Sequence, residues 1–475
     1  MLGTLYVEAR LKDGTYHGFR EQEIRTEVAI QIHRSHKEVK VGTAVRLGGS
    51  LSLLAAIERL DITGHSKSRE FPDETIYSLV QNDLEILVYS LWPEPDDSSG
   101  NEDCQVNEDE NTTSYPHPFD VLALPNRAFD GLWESLVYQD PIGELTLRAL
   151  VRAVRKRRGD PTSWRTSSWQ NTLLLHGPPG SGKTALAQTL AQRLSIRLSN
   201  IFLVTKLLQI NAHMLFSHLF GDTTKKIGRL FETIAEMALN DSQLIVVIFD
   251  EVETIASSRE KAAQRNEPGE SIKATNEVLR SLDKFRRSSN VISMFTSNLV
   301  GSLDSAFVDR CCLEEEVNIP ATECVFEILR KEINGLLQCG IVFCETMIYE
   351  AWSDSTVTTR ASTPNLIPSR QWANIHWPST ATTAVSELYR IAMLAKGLSG
   401  RKLKGLVTNA QYKYLVDEPS DLRDLLVALE AVIRKATRQR TNVGKQEEEE
   451  AANQSDVAKF LTNLEADENA NGMNS

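Results

Sequence analysis

Three short, largely apolar runs form the strongest pattern in the chain. They are Thr172–Leu175, Leu244–Phe249 and Val291–Phe295. A nearly continuous apolar run of this length is typical of a parallel strand that is covered on both faces. Leu186, Leu190 and Leu194 recur at intervals of four after the first run, which predicts an amphipathic helix. Because apolar runs alternate with helical periodicity from Leu122 to Arg434, we predict an α/β fold, a parallel sheet flanked by helices.

A second, smaller pattern lies near the start of the chain. Leu5, Val7, Ala9 and Leu11 alternate with other residues, and the apolar run Leu84–Trp92 follows later. Both predict strands of a small mixed α+β domain, which we place at residues 1–93. From Glu94 to Glu110 there are eight acidic residues and no basic ones. Such a segment buries too little apolar surface to fold, so residues 94–120 are predicted to be a linker.

Composition marks two further segments. A stretch rich in Ser, Thr and Pro near residues 350–380 is predicted to be an insertion. Residues 442–475 are acidic and polar, which predicts a solvated tail.

Composition narrows the class of protein. The 475 residues are 41% hydrophobic and 24% charged, near the average for folded chains, and the net charge is −12. The acidic balance argues against direct nucleic-acid binding, and no apolar run approaches the length of a membrane helix. Six cysteines lack the spacing of a zinc site.

The basic cluster Arg152, Arg155, Lys156, Arg157 and Arg158 is interpreted as a solvated helix face, with a localisation signal or phosphate-contacting patch as the alternative.

The most specific motif lies between the first strand and its helix. Its residues fit G-x-x-x-x-G-K-[ST], and they are Gly177, Pro178, Pro179, Gly180, Ser181, Gly182, Lys183 and Thr184. The glycines let backbone N–H groups surround phosphate oxygens at a helix N-terminus. The Lys183 ammonium supplies positive charge to the outer phosphates, and the Thr184 hydroxyl suits Mg²⁺. The motif predicts binding of ATP with Mg²⁺.

Polar groups at the ends of the other two strands extend this site. Asp250 and Glu251 follow the run Leu244–Phe249, where a carboxylate can hold a metal and its neighbour can activate water. Thr296, Ser297 and Asn298 follow the third strand, and an amide there can position the attacking water. Three strands that each end in a group suited to ATP favour a catalytic nucleotide site.

These motifs in this order resemble the AAA+ ATPases. The chain continues with Arg310 in A-F-V-D-R and with G-L-S-G-R, which contains Arg401. The segment L-P-N-R-A-F-D-G-L-W-E-S-L-V-Y and the segment S-H-L-F-G-D narrow the resemblance to the pachytene checkpoint protein 2 family, also called thyroid-receptor-interacting protein 13. The similarity extends from about Leu124 to Arg401. It implies a large nucleotide-binding AAA+ subdomain at residues 121–320 and a small helical lid subdomain at residues 321–441.

The resemblance implies a homo-oligomeric ring, expected to be a hexamer, that remodels HORMA-domain proteins directly or through an adaptor of the HORMA family. It implies action in meiotic chromosome-axis and spindle-checkpoint control, hence localisation in the nucleus at chromosomes, with the cytoplasm as a second site. By motif, Lys183 and Thr184 hold phosphate and Mg²⁺, Asp250 binds the metal and Glu251 is the base. Asn298, Arg310 and Arg401 would be the strand sensor, the arginine finger and the lid sensor.

The resemblance also implies a pore loop at Leu219, Phe220 and Gly221, which would grip an extended polypeptide. Relatives commonly carry an aromatic residue where Leu219 stands, so Phe220 would grip alone or the grip would be weaker. A second pore element is expected at residues 259–270. Two alternatives stay open: an AAA+ motor that acts on a nucleic-acid-associated complex, and an ATP-gated scaffold that does not thread its partner.

Overall fold

The computed structural model describes residues 3–12, 21–45, 56–68, 75–93, 119–159, 171–212, 223–258, 268–285, 288–344, 366–376, 383–415 and 419–439. The chain divides into two compact units, Met1–Asn318 and Ile319–Ser475. Most of the predicted linker, insertion and tail lies outside the described residues. The same is true of Leu219, Phe220 and Gly221 and of most of the second predicted pore element.

The first unit begins with a three-stranded sheet of order β3-β1-β5. Its strands are β1 (Gly3–Leu11), β3 (Ile57–His65) and β5 (Asn82–Tyr89). Strands β1 and β3 are antiparallel, and β1 and β5 are parallel. Helix α1 (Glu21–Ser35) buries Ile24, Val28 and Ile32 against the apolar side chains of β1. The short strands β2 (Glu38–Lys40) and β4 (Ile76–Ser78) pair beside this sheet.

The centre of the first unit is a six-stranded sheet of order β11-β7-β10-β9-β8-β6. Its strands are β6 (Phe119–Leu124), β7 (Thr172–His176), β8 (Val204–Asn211), β9 (Gln243–Asp250), β10 (Val291–Ser297) and β11 (Leu313–Glu316). All neighbouring strands are parallel except β6 and β8. The predicted parallel sheet is therefore confirmed, with one antiparallel edge strand.

Helices cover both faces of this sheet, which explains why β9 and β10 are apolar on both sides. One face packs against α3 (Ile142–Gly159) and α4 (Lys183–Arg197), which follow the short α2 (Leu132–Ser135). The other face packs against α5 (Thr223–Met237), α6 (Pro268–Phe285) and α7 (Ser305–Val308). None of the described helices is both long and apolar enough to cross a membrane.

The second unit is mainly helical. It contains α8 (Thr322–Gln338), α9 (Arg370–His376), α10 (Ala384–Leu394), α11 (Gly400–Tyr414) and α12 at residues 422–439. Strands β12 (Val342–Phe343) and β13 (Ser420–Asp421) form a two-stranded parallel pair. Apolar residues of α8 face α10 and α11, and among them Leu329, Leu388 and Leu403 are fully buried. This unit is the helical lid that the sequence predicts.

The interpretation of the basic cluster on α3 as a solvated face is wrong for part of the cluster. Arg157 is only 5% exposed. Arg155 forms an ion pair with Glu85 of β5, with 2.5 Å between NH2 and Oε1. The cause is tertiary: α3 packs beside the polar face of the first sheet, so Arg155 meets a carboxylate of β5 instead of water.

Candidate nucleotide site

The phosphate loop, residues 177–182, joins β7 to α4. Gly177, Gly180 and Gly182 have φ values of 139°, 75° and 102°, a region that side chains other than glycine rarely adopt. A Cβ at Gly177 would overlap the carbonyl oxygen of Val317. The glycines of the motif are therefore needed both for the backbone conformation and for the close approach of a neighbouring chain segment.

Helix α4 begins directly after this loop. Gly182 is its N-cap and supplies no side-chain hydrogen bond to the first turn. The Ser181 hydroxyl is buried and has no hydrogen-bond partner among the described residues. Uncapped N–H groups at a helix N-terminus together with a buried hydroxyl suit an anion. This part of the chain therefore fits the triphosphate that the motif predicts.

Lys183 lies over the loop. Its Nζ donates to the carbonyl oxygens of Gly177 and Pro178 at 2.8 and 2.9 Å. Although it is a lysine, it is only 6% exposed. A buried ammonium held by backbone carbonyls is positioned to exchange one of them for a phosphate oxygen, because an ionised acceptor gives the stronger hydrogen bond.

Asp250, at the end of β9, connects the loop to the next strand. The Thr184 hydroxyl donates to Asp250 Oδ1 at 2.9 Å. The Thr296 hydroxyl on β10 also donates to Asp250 Oδ1, and it accepts from the Glu251 N–H at 3.2 Å. Carboxylate and hydroxyl oxygens are the ligands that Mg²⁺ prefers, so this group of residues fits the predicted metal. Thr184 and Asp250 come together as the sequence predicts.

Glu251 follows with an unusual backbone. Its φ is 57° and its ψ is 49°, the left-handed conformation. This conformation is uncommon for residues other than glycine and costs about 1 kcal/mol or more. Because the Thr296 hydroxyl accepts from the Glu251 N–H, the surrounding structure maintains this turn at the end of β9.

Asn298 lies just beyond β10. Its backbone N–H donates to Glu253 Oε1 at 3.1 Å, and its side chain is half-buried. The other carboxylate oxygen, Glu253 Oε2, is buried and has no hydrogen-bond partner within the described ranges. Sequence reasoning noted Thr296 only as part of a strand end and missed Glu253. Both residues lie close in sequence to a predicted site residue, Glu253 to Asp250 and Thr296 to Asn298. Their hydrogen bonds, however, join the end of β9 to the end of β10, and the sequence does not show that pairing.

Tyr138 was also missed. Its hydroxyl donates to the carbonyl oxygen of Gly182 at 3.3 Å. Burial raises the pKa of Tyr138, so its hydroxyl stays protonated and able to donate. Tyr138 lies after α2, within the segment that resembles the family, and its hydrogen bond links that segment to the phosphate loop.

Arg310 and Arg401 lie apart from these groups in the chain. Arg310 follows α7 and forms an ion pair with Asp283 of α6, with 3.0 Å between NH2 and Oδ2. Arg401 lies in the first turn of α11, in the second unit, and is exposed. The described side-chain contacts of Arg310 are with Asp283 and with the carbonyl oxygen of Ala306.

Comparison with known proteins is consistent with this geometry. Residues 173–320 match the model of the ATPase family associated with various cellular activities (AAA). Residues 321–437 match the TRIP13-like AAA+ ATPase lid C-terminal domain. The fold and the site thus define an AAA ATPase, an enzyme that binds and hydrolyses ATP.

Individual relatives identify the family within the AAA ATPases to which this chain belongs. The pachytene checkpoint protein 2 homolog of Oryza sativa subsp. indica is 33% identical over 356 residues, which cover 74% of this chain and 71% of the relative. The homolog of Danio rerio is 27% identical over 432 residues, 88% of this chain and 96% of the relative. The structure of C. elegans PCH-2 has a TM-score of 0.65 and 25% identity, and covers 91% of this chain and 99% of that one. The chain belongs to the pachytene checkpoint protein 2 family.

Proposed function

We propose that this ATPase forms a ring, expected to be a hexamer, and uses ATP hydrolysis to open HORMA-domain proteins, directly or through an adaptor of the HORMA family. Membership of the pachytene checkpoint protein 2 family supports a HORMA-domain protein as the client. The position of Arg310 supports the ring, because its guanidinium bonds to Asp283 and Ala306 on its own surface while Lys183 and Asp250 form the nucleotide site elsewhere. A finger of this kind acts on the ATP of a neighbouring subunit.

Each residue of the site then has a role in hydrolysis. The loop Gly177–Gly182 and Lys183 bind the phosphates, and Thr184 and Asp250 would hold Mg²⁺. The metal, when bound, neutralises charge on the phosphate oxygens. Glu251 accepts a proton from the attacking water, and Asn298 orients that water. Arg310 stabilises charge on the transferring phosphoryl group of the next subunit, and Arg401 contacts the nucleotide of its own subunit.

We propose that helices α5 and α6 transmit the change at the nucleotide site to the pore loops. The predicted pore loop at Leu219, Phe220 and Gly221 precedes α5, and the second predicted pore element, residues 259–270, extends into the first turn of α6. Phe231 of α5 and Phe285 of α6 pack with ring centroids 5.2 Å apart. Because the two helices share one apolar core, a shift of one helix displaces the other.

A HORMA-domain client can change conformation when only one terminal segment is pulled and locally unfolded. Folded domains are stable by only about 5–15 kcal/mol, and peripheral elements open for less. Pulling one terminal segment can thus convert a two-state client without unfolding it entirely. Since the clients belong to meiotic chromosome axes and to the spindle checkpoint, we place the enzyme in the nucleus at chromosomes, with the cytoplasm as a second site.

The test is an assay of ATP turnover with and without a purified HORMA-domain protein, combined with a size measurement in ATP. We expect assembly into a ring, turnover that the HORMA protein stimulates, and conversion of that protein between its conformers. Phe220→Ala should abolish conversion while turnover without client persists, because threading requires the grip. Unchanged conversion would favour the ATP-gated scaffold. Stimulation by DNA and not by the HORMA protein would favour the nucleic-acid alternative. A single-copy protein with full turnover would refute the proposal.

A further inference from the structure

A cavity of about 350 Å³ lies within the first unit, far along α4 from the phosphate loop. Its walls come from the polar face of the first sheet and from helices α3 and α4. On β1, Leu5, Val7 and Ala9 face the core under α1, whereas Tyr6 and Glu8 face the cavity. The volume lies in the range of small-molecule sites.

Positive charge exceeds negative charge along the walls. Six arginines and five carboxylates line the cavity. Asp61 pairs with Arg59, with 2.5 Å between Oδ2 and Nε. Burial raises the pKa of Glu144, which disfavours the charged form of that carboxylate. The resulting field favours an anion.

The excess positive charge of the cavity wall is concentrated at Arg197, the last residue of α4. Arg193 NH1 lies 2.6 Å from Glu8 Oε2, and Arg197 Nε lies 3.5 Å from Glu8 Oε1. Two guanidinium groups therefore share the Glu8 carboxylate, although the exposed Glu134 also pairs with Arg193. The Arg193 pair takes the shorter contact, which leaves the Arg197 charge only partly balanced.

The Arg197 guanidinium also has spare hydrogen-bonding capacity. NH2 donates to the Thr63 hydroxyl at 2.9 Å, but NH1 is buried without a hydrogen-bond partner among the described residues. Arg197 is 8% exposed. A buried donor of a charged group that is left unpaired destabilises the fold, so a ligand oxygen that reaches NH1 from the cavity and accepts from it is stabilised.

Two further arginines reach the same side of the cavity from α3. Arg148 NH1 donates to the Ser68 carbonyl oxygen at 2.6 Å, and Arg152 NH2 donates to the Ser66 carbonyl oxygen at 3.0 Å. Both serines follow β3, the strand whose Thr63 bonds Arg197. The Tyr6 ring stacks on the Arg197 guanidinium, 4.2 Å from its centroid, and adds an aromatic wall.

We propose that this cavity binds a small organic phosphate, whose phosphate group pairs with Arg197, Arg148 and Arg152 and whose remaining atoms lie against Tyr6. Guanidinium groups suit a phosphate because several planar donors can bond its oxygens at once. The cavity exceeds the size of inorganic phosphate. A ligand there contacts the first sheet and α4 together, and α4 carries Lys183 at its other end.

Calorimetric titration tests the site on the full chain carrying Lys183→Ala, which weakens phosphate binding at the loop. The probe is ribose 5-phosphate, with inorganic phosphate and ribose titrated separately. We expect saturable binding of ribose 5-phosphate with one ligand per chain, weaker binding of inorganic phosphate and none of ribose. Absence of saturable binding, or equal affinity for the two phosphates, overturns the proposal.

Variants locate the binding. Adding Arg197→Gln should weaken binding at least about tenfold, the effect of losing one charge-assisted hydrogen bond. Arg148→Gln, on a different helix, should also weaken it and provides the test if Arg197→Gln fails to fold. Arg280→Gln is the matched control, because Arg280 is an exposed partner of Glu277 outside the cavity. Unchanged affinity in a folded Arg197→Gln chain, or equal weakening in Arg280→Gln, overturns the assignment.

Discussion

The guanidinium of Arg310 forms a bidentate pair with the carboxylate of Asp283, in which Nε lies 3.0 Å from Oδ1 and NH2 lies 3.0 Å from Oδ2. The hydrogen bond with Asp283 raises the pKa of Arg310. The pair is partly exposed, with Arg310 at 27% and Asp283 at 52%. Such pairs contribute only about 0–1 kcal/mol, so a triphosphate on a neighbouring subunit can compete for the guanidinium.

Arg310→Ala should reduce ATP turnover about a thousandfold, because a finger in trans contributes at least that factor. ATP binding and the free energy of unfolding should change little, since the lost ion pair is exposed. Steady-state turnover and nucleotide titration measure the two effects. Arg280→Ala, which removes another exposed arginine of an ion pair, is the control and should keep full turnover.

Mixing two inactive variants tests whether the finger acts between subunits. Glu251→Gln subunits retain Arg310, and Arg310→Ala subunits retain Glu251. Mixed rings should therefore contain some complete sites, and turnover should rise well above that of either variant alone. If the mixture is as inactive as its components while mixed rings form, Arg310 does not act in trans.

Thr296→Val should lower turnover about tenfold or more. The substitution preserves the shape of the side chain but removes the hydroxyl that bonds Asp250 and the Glu251 N–H, so the left-handed turn at Glu251 loses its support. Turnover at saturating ATP measures the effect. Thr296→Ser retains the hydroxyl and should retain most of the activity; equal losses in both variants would mean that packing, and not the hydroxyl, matters.

Gly177→Ala should destabilise the fold by about 2 kcal/mol or more and abolish nucleotide binding. The reason is that φ is 139° and a Cβ would overlap the Val317 carbonyl oxygen. Denaturant unfolding and nucleotide titration measure these changes. Gly301→Ala is the matched control, because no atom lies within 4 Å of its Cβ. Nucleotide binding by a folded Gly177→Ala chain would contradict the role of this glycine.

The helical unit should show a pH-dependent contribution from Glu430. Hydrogen bonds from Arg390 and Arg434 lower the pKa of Glu430 to about 2, from an ordinary value of 4.5. Because the folded-state pKa is the lower one, the stabilisation is fully present above about pH 5 and is lost as the pH falls from 4.5 toward 2. The melting-temperature difference between the wild type and Glu430→Gln should therefore shrink between pH 6 and about pH 3. A constant difference would contradict this linkage.

Sequence reasoning located the nucleotide site because its motifs are local. The loop before Lys183 needs glycines within a few residues, and Asp250 directly follows an apolar strand, so both can be identified from short segments. Thr296 was harder to assign, since Ser, Thr and Asn are ordinary at strand ends and only the pairing of β9 with β10 brings its hydroxyl to Asp250. The basic cluster on α3 was misread because its partners, such as Glu85, lie far away in sequence.

The amino-acid sequence by itself determined three buried strands that alternate with helices, the phosphate loop and the family resemblance, because each rests on residue spacing along the chain. The tertiary structure decided which polar groups share a hydrogen bond, and it brought Arg193 and Arg197 against Glu8. The physical reason is that burial and charge pairing depend on which surfaces meet. A polar face of a strand looks the same in sequence whether it meets water or the arginines of a packed helix.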